Sequence, residues 1–159
     1  MFETQKDSNK IGLGGWLLVW FILNLLALIR LVFHINIHML SSEDSTALTS
    51  QQSPFYHPLW RPLLGYEFFC QFFNPITIAF LIFLYARKSH FFPKAAIIIY
   101  LLNFIMVLMD AAGAIIIGKS VNLEIEIPWK EIGRCLIAIL IWVPYFLKSE
   151  RVKATFVKK

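Results

Sequence analysis

The sequence predicts an all-α, polytopic membrane protein: a four-transmembrane-helix bundle with short loops. Two observations carry this prediction. Of the 159 residues, 58% are hydrophobic and only 16% are charged, and the apolar residues fall into four long blocks. About 20 apolar residues, each rising ~1.5 Å, cover the ~30 Å hydrocarbon core of a bilayer. A β-barrel would instead need alternating strands of roughly ten residues, and these blocks do not alternate.

The predicted spans are residues 12–33, 63–86, 95–117 and 130–147. They lie in a membrane domain, 11–147, between an N-terminal tail, 1–10, and a basic C-terminal tail, 148–159. The first span is too long for the apolar region of a signal peptide and lacks a convincing cleavage site, so we expect a retained helix. Pro75 predicts a bend in the second span, because proline leaves a backbone carbonyl without its partner.

The distribution of basic residues predicts the orientation of the chain. Ten of the 15 Lys and Arg residues fall on the side that includes both tails, three fall on the other side and two lie inside spans. By the positive-inside rule, both termini are cytoplasmic. The net charge of +5 therefore indicates topology, with the lipid bilayer as partner and no nucleic acid.

Four charged residues inside or near the ends of the predicted spans share one layer in the outer third of the membrane. They are Arg30, Glu67, Asp110 and Arg134. At ~1.5 Å per residue, Arg30 and Asp110 lie ~25 and ~22 Å from the inner boundary, and Glu67 and Arg134 lie ~9 and ~6 Å below the outer one. Two acids and two bases cancel, and an unpaired buried charge would cost several kcal/mol. We therefore predict a buried ionic cluster.

Four amides form a second polar layer near the midplane. They are Asn24, Gln71, Asn74 and Asn103. Glu67, Gln71 and Asn74 follow the i, i+4, i+7 spacing of one helix face. Because the second and third spans are antiparallel, we expect Asn74 to meet Asn103, with Glu67 and Asp110 meeting above them. Each hydrogen bond between helices at that depth is worth roughly 0.5 to 2 kcal/mol.

These polar layers leave two functions open. Buried polar groups can fix helix register, which would suit an accessory or assembly protein that binds another membrane protein or forms a homo-oligomer. The alternative is a small-solute or proton-coupled transporter in which Glu67 or Asp110 takes up protons from an outward-facing path. The neutral charge balance favours the first interpretation, because a transport carboxylate usually spends part of its cycle unpaired.

No residues indicate catalysis, so we expect no enzyme activity, no catalytic residues and no cofactor. Cys70 and Cys135 lack the CxxC spacing or Cys/His neighbours of metal and redox sites, and no metal site is expected. Gly14 and Gly15 suit close approach of a neighbouring helix rather than phosphate binding. In the tail, apolar residues four apart among lysines predict either a short helix on the inner leaflet or a plain stop-transfer cluster.

Several motifs resemble one known family. They are Gly14-Gly15-Trp16-Leu17, Trp60-Arg61-Pro62-Leu63, the segment 141–147, and Ser149 with Arg151-Val152-Lys153 and Thr155-Phe156. Together they resemble the small bacterial inner-membrane proteins of the domain-of-unknown-function 2569 family. The resemblance covers nearly the whole chain except the first ten residues and the first loop. It implies four helices in the inner (cytoplasmic) membrane of a bacterium, and it implies no activity and no site residues.

Overall fold

The computed structural model describes residues 14–33 and 43–156, and within them it contains helices and no β-strand. The helices are α1 (Trp16–Phe33), α2 (Glu43–Thr49), α3 (Trp60–Ala86), α4 (Phe92–Ser120), α5 (Trp129–Lys148) and α6 (Glu150–Thr155). The predicted all-α class is confirmed. In the described part of the chain, α1 packs on α3, α3 on α4 and α4 on α5, with α2 beside the start of α3.

Three of these helices are long and apolar enough to cross a membrane: α1, α3 and α4. The fourth predicted span corresponds to α5, which has 20 residues. The first two turns of α5 carry three charged residues, Lys130, Glu131 and Arg134. These charges set α5 apart from α1, α3 and α4. Charge rather than length therefore separates α5 from the candidate spans.

Local sequence features explain where α3 and α4 begin. α3 begins at Trp60, whose indole Nε1 donates a hydrogen bond to the Phe55 carbonyl oxygen at 3.1 Å. α4 begins at Phe92 with Pro93 next, a position where the missing N–H of proline costs nothing. α3 and α4 also approach closely further along, since a Cβ on Gly113 would lie 2.9 Å from Leu63 Cδ1.

One end of the bundle holds a closely packed aromatic core. Its buried members are Leu17, Trp20, Leu81, Tyr85, Phe92, Ala96, Trp142, Phe146, Val152 and Phe156. Ring centroids lie 4.9 Å apart between Trp20 and Phe92, and 4.5 Å apart between Phe92 and Phe156. Such pairs add about 0.5–1.5 kcal/mol each beyond the area they bury. The core joins the starts of α1 and α4 to the ends of α3 and α5, at the end of the bundle where α6 packs.

The short helix α6 packs into this core rather than onto a lipid surface. Val152 is 1% exposed and Phe156, just after α6, is 5% exposed. Ser149 is the N-cap of α6, and its hydroxyl oxygen accepts a hydrogen bond from the Val152 backbone N–H at 3.4 Å. The interpretation of the tail as a helix on the inner leaflet is therefore wrong, because its apolar side chains contact protein.

The paired glycines before α1 accommodate a side chain of the C-terminal segment. A Cβ on Gly15 would lie 2.7 Å from Arg151 Nη1, and one on Gly14 would lie 3.6 Å from the same atom. Gly15 also has a positive φ of 63°. The sequence suggested that these glycines admit a neighbouring helix, whereas in the structure the Arg151 guanidinium occupies that place.

Candidate functional site: a polar cavity opposite the aromatic core

A cavity of about 630 Å³ lies in the half of the bundle away from the aromatic core. α1 and α5 contribute lining residues only near that end, whereas α3 lines it as far as Ile78 and α4 as far as Asn103. Asn103 lies 17 residues before the end of α4, which corresponds to roughly 25 Å at ~1.5 Å per residue. The cavity therefore reaches from one end of the bundle towards its middle.

All four charged residues singled out in the sequence line this cavity: Arg30, Glu67, Asp110 and Arg134. Their exposure differs. Glu67 and Asp110 are partly buried, whereas Arg30 is exposed and the Arg134 side chain is 59% accessible. All four were predicted to be buried inside the bundle, but the side chains of the two arginines are exposed. Both stand near helix ends, where a long side chain can extend its charged group out of the bundle.

The ion pair at the cavity rim joins neighbours on α5 rather than different helices. Arg134 Nη2 lies 3.6 Å from Glu131 Oε1, and both side chains are more than half accessible. A pair this exposed contributes about 0–1 kcal/mol. Within the described residues, no ion pair joins any two of the four charges that the sequence analysis grouped. Their mutual neutralisation stays a prediction.

Two polar side chains of α4 that line the cavity have oxygen atoms without hydrogen-bond partners in the described part of the chain. Asp110 Oδ1 and Asn103 Oδ1 are both buried and make no hydrogen bond. A buried polar atom left unpaired typically costs about 1–3 kcal/mol. Both residues line the cavity, so the hydrogen-bonding capacity of two oxygens beside it is unused within the described residues.

The four amides separate into three environments. Asn74 and Asn103 line the cavity with the two acids. Gln71 is not part of the lining, and its Nε2 is buried without a hydrogen-bond partner among the described residues. Asn24 lies towards the aromatic core and donates to the Trp20 carbonyl oxygen at 2.8 Å.

A hydrogen-bonded group lies one helical turn from Asn103, on the side of the aromatic core. Trp20 Nε1 donates to the Tyr100 hydroxyl at 2.8 Å, and that hydroxyl is also hydrogen-bonded to the Asn24 side chain. Because Trp20 also belongs to the aromatic core, this group joins the polar half of the bundle to the packed half. The group therefore lies between the cavity lining and the aromatic core.

Sequence reasoning missed three groups of the lining: Glu131, Cys70 and Cys135. Glu131 falls within the predicted fourth span, and its i, i+3 spacing to Arg134 is a helical pairing signal that the prediction did not use. Cys70 follows Glu67 by three residues and so shares its helix face, a relation visible in the sequence. Cys135 carries no such signal. The described residues hold no group of three or more His, Cys, Asp or Glu side chains that could hold a metal ion.

The fold and cavity together define a class: an all-helical protein with three helices able to cross a membrane and a largely apolar cavity that a few charged and amide side chains line. Residues 10–157 match the family model described as "Protein of unknown function (DUF2569)", and the chain belongs to this family. The family resemblance read from the motifs is thereby confirmed. No curated protein and no solved structure matches the chain.

Proposed function

We propose that this protein binds a small polar solute in the cavity, from the outer face of a bacterial inner membrane. In this proposal α1, α3, α4 and α5 all cross the bilayer and both termini are cytoplasmic. The excess of basic residues on the side of the termini supports that orientation. The packing of α5 along α4, with its acidic and basic first turns at the cavity end, supports a fourth span.

The observation that carries the proposal is the cavity itself. Its volume of about 630 Å³ falls within the ~300–1,000 Å³ typical of small-molecule sites. Its wall combines acidic, basic and amide side chains with apolar ones, as ligand sites do. Ionisable groups at membrane depth indicate function by default, because burying them is costly.

The same geometry bears on the two functions that the sequence left open. Polar groups that only fixed helix register would be packed against each other and paired. Glu67 and Asp110 instead face open volume, which favours solute binding over a purely accessory or assembly role. Because the Trp20–Tyr100 hydrogen bond and the aromatic core fill the bundle on one side of the cavity, transport through the bundle would require these groups to separate. We propose binding, without chemical conversion of the solute, as the basic activity.

A pair of neighbouring substitutions on α4 tests this. Val107 lines the cavity, whereas Leu108 is 40% exposed on the outside of the helix. Val107→Trp would fill part of the cavity, and Leu108→Trp would add the same side chain to the lipid face. We expect small molecules that co-purify with the wild type, measured by mass spectrometry, to fall at least about tenfold in Val107→Trp, a loss of ~1.4 kcal/mol or more in binding.

The Leu108→Trp protein should retain the same compounds as the wild type. Equal retention by both variants would contradict ligand binding in the cavity. If the lipid-face variant alone lost a stoichiometric protein partner while both variants kept the same small molecules, the assembly role would replace the proposal. Gel filtration of each variant controls for folding.

A further inference from the structure

We infer that the cavity selects cationic solutes, and that Glu67 and Asp110 bind an ammonium group of the ligand. The inference rests on the proposed function and deepens it by naming the ligand class. It follows from where the charges lie, from which acceptors lack partners, and from the low dielectric of the site.

The acids and bases of the cavity lining differ in burial. Glu67 and Asp110 are partly buried on α3 and α4. The basic lining residues, Arg30 and Arg134, are both exposed, and Arg134 pairs with Glu131. The partly buried charged groups of the lining are therefore acidic, and the basic groups extend out of the bundle. A ligand that passes the rim meets carboxyl groups and amides.

The cavity lining also contains hydrogen-bond acceptors that no donor in the described part of the chain occupies. Asp110 Oδ1 and Asn103 Oδ1 are buried and unpartnered in the described part of the chain, and both residues line the cavity. An ammonium group carries three donors and no acceptor. It would therefore suit a lining that offers carboxyl and amide oxygens, whereas an anionic group would add another acceptor beside them.

The low dielectric constant of the site also strengthens its discrimination between cations and anions. Two unit charges at a given separation interact about fourfold more strongly at the effective dielectric constant of about 20 found near protein surfaces than in bulk water. Apolar lining from Ile78, Met106 and Val107 lowers the local polarity further. A cation and an anion of equal size should therefore differ by at least tenfold in how readily they enter.

The two native cysteines provide the test. Cys70 and Cys135 both line the cavity and are the only cysteines in the sequence. With Cys135→Ser, the purified protein has one thiol, one helical turn from Glu67. Its rate of modification is measured with 2-aminoethyl methanethiosulfonate, a primary ammonium, and with the anionic 2-sulfonatoethyl reagent. The ratio of the two rates is normalised to that of a small free thiol.

We expect the normalised ratio at Cys70 to exceed that of the free thiol by about tenfold or more. Adding Glu67→Gln and Asp110→Asn should bring it close to the free-thiol value. Glu126→Gln, which removes an equal charge from the exposed loop before α5, should leave it unchanged. The first ratio needs no carboxyl substitution, so it stands even if the double variant fails to fold.

A ratio equal to or below that of the free thiol would overturn the inference while leaving an open cavity in place. So would a high ratio that survives both carboxyl substitutions in a protein that elutes normally on gel filtration. If neither reagent modified Cys70 until the protein was unfolded in sodium dodecyl sulfate, the cavity would be closed to solutes. That result would overturn the proposed function itself.

Discussion

At the scale of single residues, Gly15 has a backbone conformation that other residues rarely adopt, with φ of 63°. We predict that Gly15→Ala lowers the free energy of unfolding by about 1–2 kcal/mol, because the left-handed region is unfavourable for residues with a Cβ. The 2.7 Å approach to Arg151 Nη1 adds little, since the guanidinium ends a flexible side chain. Thermal unfolding in detergent, followed by tryptophan fluorescence, measures the change.

Gly14→Ala is the matched control for this prediction. A Cβ there would lie 3.6 Å from the same Arg151 atom, an ordinary van der Waals contact. The Gly14 variant should unfold close to the wild-type temperature. Equal destabilisation by the two substitutions would contradict the explanation from the backbone conformation of Gly15.

At the scale of elements, the segment after α5 contributes to folding through its buried side chains. We predict that Phe156→Ala lowers the free energy of unfolding by about 3–5 kcal/mol, as removal of a large aromatic side chain from a core does. Phe156 is 5% exposed and its ring centroid lies 4.5 Å from that of Phe92. The same thermal unfolding measurement tests this.

The control for the tail is Lys153→Ala, which changes an exposed residue of α6 and should alter stability by less than about 0.5 kcal/mol. A tail that acted only as a basic stop-transfer signal would give the opposite order. In that case Lys153→Ala would disturb the protein at least as much as Phe156→Ala.

The positions of the long helices could be predicted, but the aromatic core could not. Hydrophobic length and prolines placed α3 and α4 within three residues of their observed starts, because those signals are local. The core brings Trp20, Phe92, Phe146 and Phe156 together from distant parts of the chain, and hydropathy reads all of them simply as apolar. The motifs on which the family resemblance rests supply several of these residues. Those motifs therefore contribute to the aromatic core rather than to the cavity.

The candidate site could be predicted in part. Helical spacing and antiparallel packing placed Glu67, Asp110, Asn74 and Asn103 at related depths, and the structure shows them around one cavity. Depth alone does not give the direction of a flexible side chain. For that reason the sequence could not indicate that Arg30 stands exposed at the rim.

At the scale of the whole molecule, the bundle has two unlike halves. The half where α1 begins and α5 ends is filled by the aromatic core, and the other half contains the cavity with its charged and amide side chains. The Asn24–Tyr100–Trp20 group separates them. If the termini are cytoplasmic, solutes can reach the cavity from the outer face alone.

Side-specific modification of Cys70 tests this account most directly. The Cys135→Ser protein is placed in right-side-out and in inside-out membrane vesicles, and each is treated with the membrane-impermeant 2-(trimethylammonium)ethyl methanethiosulfonate. We predict that Cys70 is modified in right-side-out vesicles and protected in inside-out vesicles. Modification in inside-out vesicles, or equal modification from both sides, would contradict a cavity that opens to the outer face and is closed by the aromatic core.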